Sequence, residues 1–302
     1  MSAKADSVKT VFYALGANFL IFVSKLVAAL ITGSGSMLAE AVHSLADCGN
    51  QMMLLFGMRV AKRPASPDFP LGYGKAVYFW SFLVALFLFS FGGIFSVYEG
   101  IHKFTAPEPM RWPLLAIGVL FFSIIAESFS MWGCMHEVNK ARGGLSLWRW
   151  FRESRQSELI VIFGEDLAAL TCLIVALIAV VLTWLTGNPI YDACGSMLIG
   201  ALLFIVAIFV GYEVQALLIG QSAEPRLKIA IEEFVSAQPE VQKVFNVITL
   251  QLGPDVMVAV KAEMRDGTDG RGLVTDINRV ESVMKQQFPE IRWSFFEPDI
   301  SD

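Results

Sequence analysis

Residues 33–51 read GSGSMLAEAVHSLADCGNQ, and this stretch decides the reading of the whole chain. GSGS at 33–36 is a tight turn, because clustered glycine and serine end periodic segments. The following residues are mostly small and apolar, as in a buried helix, yet they include Glu40, His43 and Asp47. On a helix, positions four apart share one face. His43 and Asp47 therefore stand together, with Glu40 one turn earlier on the same side. An imidazole nitrogen and a carboxylate oxygen at that spacing bind one divalent cation at about 2.0–2.2 Å. Two ligands do not complete a tetrahedral site, so a second helix must supply the rest.

The surroundings are those of a membrane. Of the 302 residues, 55% are hydrophobic and only 17% charged, with a mean hydropathy of +0.57. Soluble domains carry about 25% charged residues. The net charge of −5 also excludes a nucleic-acid binder, which would be basic. A membrane-crossing helix needs about 20 mostly apolar residues. Six segments are expected to cross, at roughly 9–32, 37–58, 76–100, 112–135, 157–185 and 191–218. TGNP at 186–189 is a turn, and the prolines of RPASPDFPLGYG at 63–74 interrupt any helix there. The first apolar segment carries no cleavage site and is expected to stay in the mature protein.

Residues 1–218 are thus expected to form a six-span transport domain, and 219–302 a cytoplasmic one. Lys and Arg gather in the N-terminal arm (Lys4, Lys9), the second loop (Arg59, Lys62, Arg63, Lys75), the fourth loop (Lys140, Arg142, Arg149, Arg152, Arg155) and the start of the tail. The positive-inside rule then puts both termini in the cytoplasm. The tail reads α-β-β-α-β: helices at 222–238 and 274–288, alternating strands at 241–252 and 255–264 around Gly253-Pro254, and a last strand at 291–297. That order suits a small α+β sandwich with both helices on one sheet face. Four cysteines without a CxxC pair (Cys48, Cys134, Cys172, Cys194) read as small core residues.

Ionisable groups inside spans mark function, since each is costly in lipid. Beyond the His43–Asp47 face they are Lys25 in span 1, Glu127 in span 4, and Glu165 and Asp166 in span 5. Asp166 is the expected partner of the span 2 pair. Glu165 points about 100° away from it. Glu40, Lys25 and Glu127 read as a proton route or charge balance. Glu99 and Glu213, near span ends, are expected to be solvated. Imidazole with carboxylates suits Zn²⁺, Mn²⁺, Fe²⁺ or Co²⁺. The chain has no HExxH, no GxSxG and no GxGD around Asp166, which leaves no support for a hydrolase. A passive metal channel or a metal-sensing membrane scaffold could use the same ligands.

The run GSGSMLAEAVHSLADCGNQ, the PLGYGK segment after it, the six spans and the tail resemble the cation diffusion facilitator transporters. HSLADCGNQ, GEDLAAL in span 5 and TGNPIYDACGSMLIG leading into span 6 are similar to its zinc transporter nine-like branch. The resemblance implies a homodimeric antiporter that moves a divalent metal, zinc first, out of the cytosol against protons. It also implies a ferredoxin-like cytoplasmic domain at the dimer interface. The family pattern asks for His or Asp four residues before Asp166, where this chain has Ile162. Glu165 or a water is left to complete the site. The loop site of many relatives keeps Asp68 here but lacks a following histidine, having Pro70 and Leu71. The tail contains neither His nor Cys and is expected to dimerise without metal.

Overall fold

The computed structural model describes residues 3–107, 109–265 and 269–301, with side chains from residue 18 onward. The Lys4 and Lys9 side chains therefore lie outside the described residues. Seven α-helices lead to the tail: α1 (Ala3–Thr32), α2 (Gly35–Ala61), α3 (Ala76–Thr105), α4 (Pro113–Ala141), α5 (Leu147–Glu153), α6 (Ser157–Thr186) and α7 (Ile190–Ile219). Then come α8 (Pro225–Ser236), β1 (Val241–Leu252), β2 (Asp255–Met264), α9 (Gly270–Gln287) and β3 (Ile291–Pro298).

Four helices, α3, α4, α6 and α7, are long and apolar enough to cross a membrane. The described part of α1 adds a shorter apolar stretch, Asn18–Thr32. α2 has the length, 27 residues, but not the hydropathy. Its Glu40, His43, Ser44, Asp47, Asn50 and Gln51 explain the difference: the residues that make it interesting also dilute its apolar character. The chain is a helical membrane protein with four clear apolar spans and a small C-terminal sheet domain.

Contacts divide the chain into two compact units. The first comprises Met1–Gly57, Trp80–Gly144 and Glu158–Val214. Its core is built from small residues, including Ala28, Ala29, Ala39, Ala116, Ala168, Cys172, Ala176 and Ala207, with Leu88, Leu120, Leu173 and Leu203 filling between them. Between membrane helices, packing rather than the hydrophobic effect holds the bundle, so small residues let backbones approach. The α3–α7 seam carries this furthest. A Cβ on Gly200 would stand 2.8 Å from both the Gly93 carbonyl oxygen and the Val97 nitrogen. Opposite that contact α3 widens into a π-helical segment over Leu88–Ile94. On α4, Phe121, Phe122, Phe129 and Trp132 are exposed, as lipid-facing residues should be. Three cysteines are buried, as expected, but Cys194 is exposed. Glu99 is buried, contrary to the solvated position expected for it.

The second unit comprises Met58–Phe79, Leu145–Ser157 and Gln215–Asp302. The tail has the anticipated α-β-β-α-β order. β1 and β2 pair antiparallel, β2 and β3 parallel, in the order β1-β2-β3. Ile231 and Val235 of α8 and Val280 and Met284 of α9 pack on Val247, Val256, Val258, Val260 and Ala262 of the sheet. α9 begins four residues before its apolar periodicity does, because the Asp269 side chain accepts from the Gly272 N–H at 2.8 Å. The first turn of α3 meets the β1–β2 turn: the Gly253 N–H donates to the Tyr78 hydroxyl at 2.8 Å. A Cβ on Gly74 would strike the Leu252 carbonyl oxygen at 2.0 Å, so only glycine fits there. Arg155 fastens the 145–157 segment to the same unit by donating to the Ser222 carbonyl at 2.7 Å.

Candidate metal centre

α2 owes its placement to a cap borrowed from another helix. Gly33 adopts φ +69° and turns the chain out of α1. The first turn of α2 then presents unpaired N–H groups, as every helix start does. Asp192 of α7, itself buried, satisfies them. Its carboxylate accepts from the Gly35 N–H at 2.6 Å, the Ser36 N–H at 3.3 Å and the Ser34 hydroxyl at 2.7 Å, and also from the Ser36 hydroxyl. Lys103 of α3 donates to the Gly33 carbonyl. Residues from α3 and α7 thus hold the start of the helix that carries His43.

One turn into α2, Lys25 of α1 meets Glu40. Both are fully buried, with Nζ 3.2 Å from Oε2 and 2.8 Å from the Ser44 hydroxyl. Of the two carboxylates grouped with it, Glu40 is the one that Lys25 contacts. A buried charge must be paired to be tolerated, and this pair meets that need.

Next along the face come His43 and Asp47, with Nδ1 3.7 Å from Oδ1. That is too long for a hydrogen bond. Both ring nitrogens of His43 and Oδ1 of Asp47 are buried without a hydrogen-bond partner, as are Glu40 Oε1, Asn50 Oδ1 and Gln51 Oε1. Buried polar atoms are paired in the large majority of cases. A row of unpaired polar atoms down one helix face is a strong departure from that rule.

α6 contributes Glu165 and Asp166. Glu165 is buried and accepts from Asn50 Nδ2 of α2 at 2.5 Å. Asp166 accepts from the Ser130 hydroxyl of α4 at 3.3 Å on each carboxylate oxygen. The carboxyl that touches α2 is thus Glu165, while Asp166 bonds to α4. Asp47 lies within electrostatic range of Glu165, Asp166 and Glu127. His43, Asp47, Glu165, Asp166 and Glu127 therefore share one neighbourhood, with Lys25–Glu40 beside it. Among the described residues, no group of three His, Cys, Asp or Glu is set close enough to hold a metal. The constellation is open. Asp68 is exposed in its loop, and no such group forms around it. Ile162 is half-buried and offers no donor.

Asn50, Ser44, Ser130 and Asp192 are the participants that residue chemistry alone did not single out. Asn50 left a signal in its spacing: it follows His43 by seven residues, two helical turns on the same face.

An apolar helical bundle that buries a histidine without partners beside several carboxylates suits a membrane cation transporter. The chain belongs to the cation efflux family: residues 11–219 match the cation efflux transmembrane domain. It is 35% identical over 265 residues to the mitochondrial proton-coupled zinc antiporter SLC30A9 of Xenopus laevis, covering 87% of this chain and 47% of that protein. Metal tolerance protein C4 of Arabidopsis thaliana is 29% identical over 250 residues, 82% of this chain and 55% of that one. The cation-efflux pump FieF of Cronobacter sakazakii is 27% identical over 274 residues, 89% of this chain and 85% of that one. This chain spans about half the length of the SLC30A9 proteins it matches. The resemblance read from AEAVHSLAD and GEDLAAL is the one these matches bear out.

Proposed function

We infer that the protein exports a divalent metal ion, zinc first and otherwise manganese, iron or cobalt, in exchange for protons. The observation that carries this is the His43–Asp47 pair, whose ring nitrogens and Oδ1 are buried and unpaired on one face of α2. In this reading His43 and Asp47 bind the cargo, and Asp166 and Glu165 close around it from α6. A bound cation must find these groups deprotonated, so protons and metal compete for them. Lys25–Glu40 balances charge, and Glu127 lies on the proton route.

The reading extends to topology and assembly. α1 and α2 complete six spans over 1–218, and both termini face the cytoplasm of a bacterial inner membrane. Residues 219–302 form a ferredoxin-like module that pairs two copies. The Lys and Arg of the second and fourth loops support the orientation, and the exposed apolar residues of the open sheet face support the pairing. The names of the SLC30A9 and FieF relatives support zinc, protons and efflux.

The test is uptake into proteoliposomes with an imposed pH gradient, run with Zn²⁺, Mn²⁺, Fe²⁺ and Co²⁺ in parallel. Accumulation above the external concentration, collapsed by a protonophore, is the expected result. Equilibration without accumulation would replace the antiporter by a passive channel.

A further inference from the structure

Beyond His43 and Asp47, α2 itself offers a further oxygen donor. Asn50 is fully buried. Its amide nitrogen donates to Glu165 Oε1 at 2.5 Å. Only the NH₂ end of an amide can donate to a carboxylate, so this bond fixes which way the amide faces. The carbonyl oxygen is buried and without a partner. Asp47 Oδ1, three residues earlier on α2, is in the same condition. Buried polar atoms are paired in the large majority of cases, so two neighbouring unpaired oxygens call for a ligand.

We propose that Asn50 is a cation ligand, binding through Oδ1 beside Asp47 and Glu165, so that an oxygen-only station adjoins His43. The proposal rests on the reading of His43 and Asp47 as cargo ligands. Around the helix Asn50 lies within about 20° of His43 and about 10.5 Å further along the axis, with Asp47 between them. A cation at Asp47 therefore has an imidazole on one side and an amide oxygen on the other. Movement along α2 exchanges one donor for the other without leaving Asp47. Carbonyl and carboxylate oxygens suit Mn²⁺, and imidazole suits Zn²⁺. Asn50 thus tilts the site toward harder cations, and Glu165 is held ready by the amide it bonds.

The test is calorimetric titration of the full chain in detergent with ZnCl₂ and MnCl₂. The proteins compared are wild type, Asn50→Asp, Asn50→Ala, and Asn50→Leu, which keeps the side-chain shape. Circular dichroism checks that each is folded. Asn50→Leu and Asn50→Ala should weaken binding by about 10-fold or more, with Mn²⁺ losing more than Zn²⁺. Asn50→Asp keeps an oxygen donor and loses the NH₂, and it should restore affinity to within a few-fold of wild type. If Asn50 serves only to orient Glu165, the aspartate repels that carboxylate and binds no better than alanine. That result, or wild-type affinity in Asn50→Leu, overturns the proposal. His43→Ala is titrated alongside. Unchanged zinc affinity there would instead remove the His43 site on which the proposal stands.

Discussion

At the scale of single residues, the chain stakes its function on side chains whose burial is costly. His43 is the group with an ordinary pKa near neutrality among those facing the proposed cargo. Metal requires deprotonated ligands, so zinc affinity should fall as pH drops below neutrality. A titration series across that range checks this, and a flat profile would count against direct competition. His43→Ala and Asp47→Ala should each abolish metal uptake while leaving the protein folded, as judged by uptake assays paired with circular dichroism. Lys25 makes a different demand. Its removal strands Glu40 as an uncompensated buried charge, which costs about 3–5 kcal/mol. Lys25→Met should therefore lower thermal stability in detergent markedly, and Lys25→Met with Glu40→Gln should recover most of it. Equal loss in the single and double variants would show that the pair carries no mutual energy.

At the scale of elements, the sequence was legible where one element's own pattern decided the outcome. The alternation in 241–252 and 255–264 gives β1 and β2 to the residue, and the prolines of 63–74 mark the break between α2 and α3. The spacing of His43 and Asp47 was readable for the same reason. Contacts that join distant elements left no local trace. Lys25 meets Glu40 across 15 residues, Asn50 meets Glu165 across 115, and Ser130 meets Asp166 across 36. The short helix α5 also went unseen, because seven residues dominated by Trp and Arg show no period. The Asp192 cap is the furthest case, acting across more than 150 residues. Asp192→Ala removes a cap, at about 0.5–2 kcal/mol, and leaves the hydroxyls of Ser34 and Ser36 without their acceptor. Stability should fall by about 1–3 kcal/mol, and hydrogen exchange should accelerate at residues 35–38. Unchanged exchange there would mean that α2 is capped without α7. A parallel strain is expected at the α3–α7 seam. Gly200→Val should cost about 1–3 kcal/mol by overpacking, read as a shift in the unfolding midpoint in mixed micelles.

At the scale of the molecule, the tail's open face bears on assembly. The sheet buries one face under α8 and α9 and leaves the other uncovered by them. Across the open face run two registered rows, Ile248–Ala259–Phe295 and Leu250–Met257–Trp293. Ile248 and Phe295 are 56% and 55% exposed, and Trp293 is half-buried. Paired apolar rows on a sheet face that nothing in the tail covers mark an association surface. The tail's lack of His and Cys means that such an association needs no metal thiolate or imidazole. Removing 222–302 should weaken dimers without destroying cation binding in the span bundle. Phe295→Asp should do the same with the chain intact, by placing a charge at the centre of an apolar row. Light scattering in detergent should then report monomers for Phe295→Asp and dimers for wild type, with the wild-type dimer unchanged by excess EDTA. Dissociation by the chelator would mean that carboxylates such as Asp255 or Glu297 hold a bridging metal. A Phe295→Asp dimer as stable as wild type would move the interface off this sheet face and onto the spans.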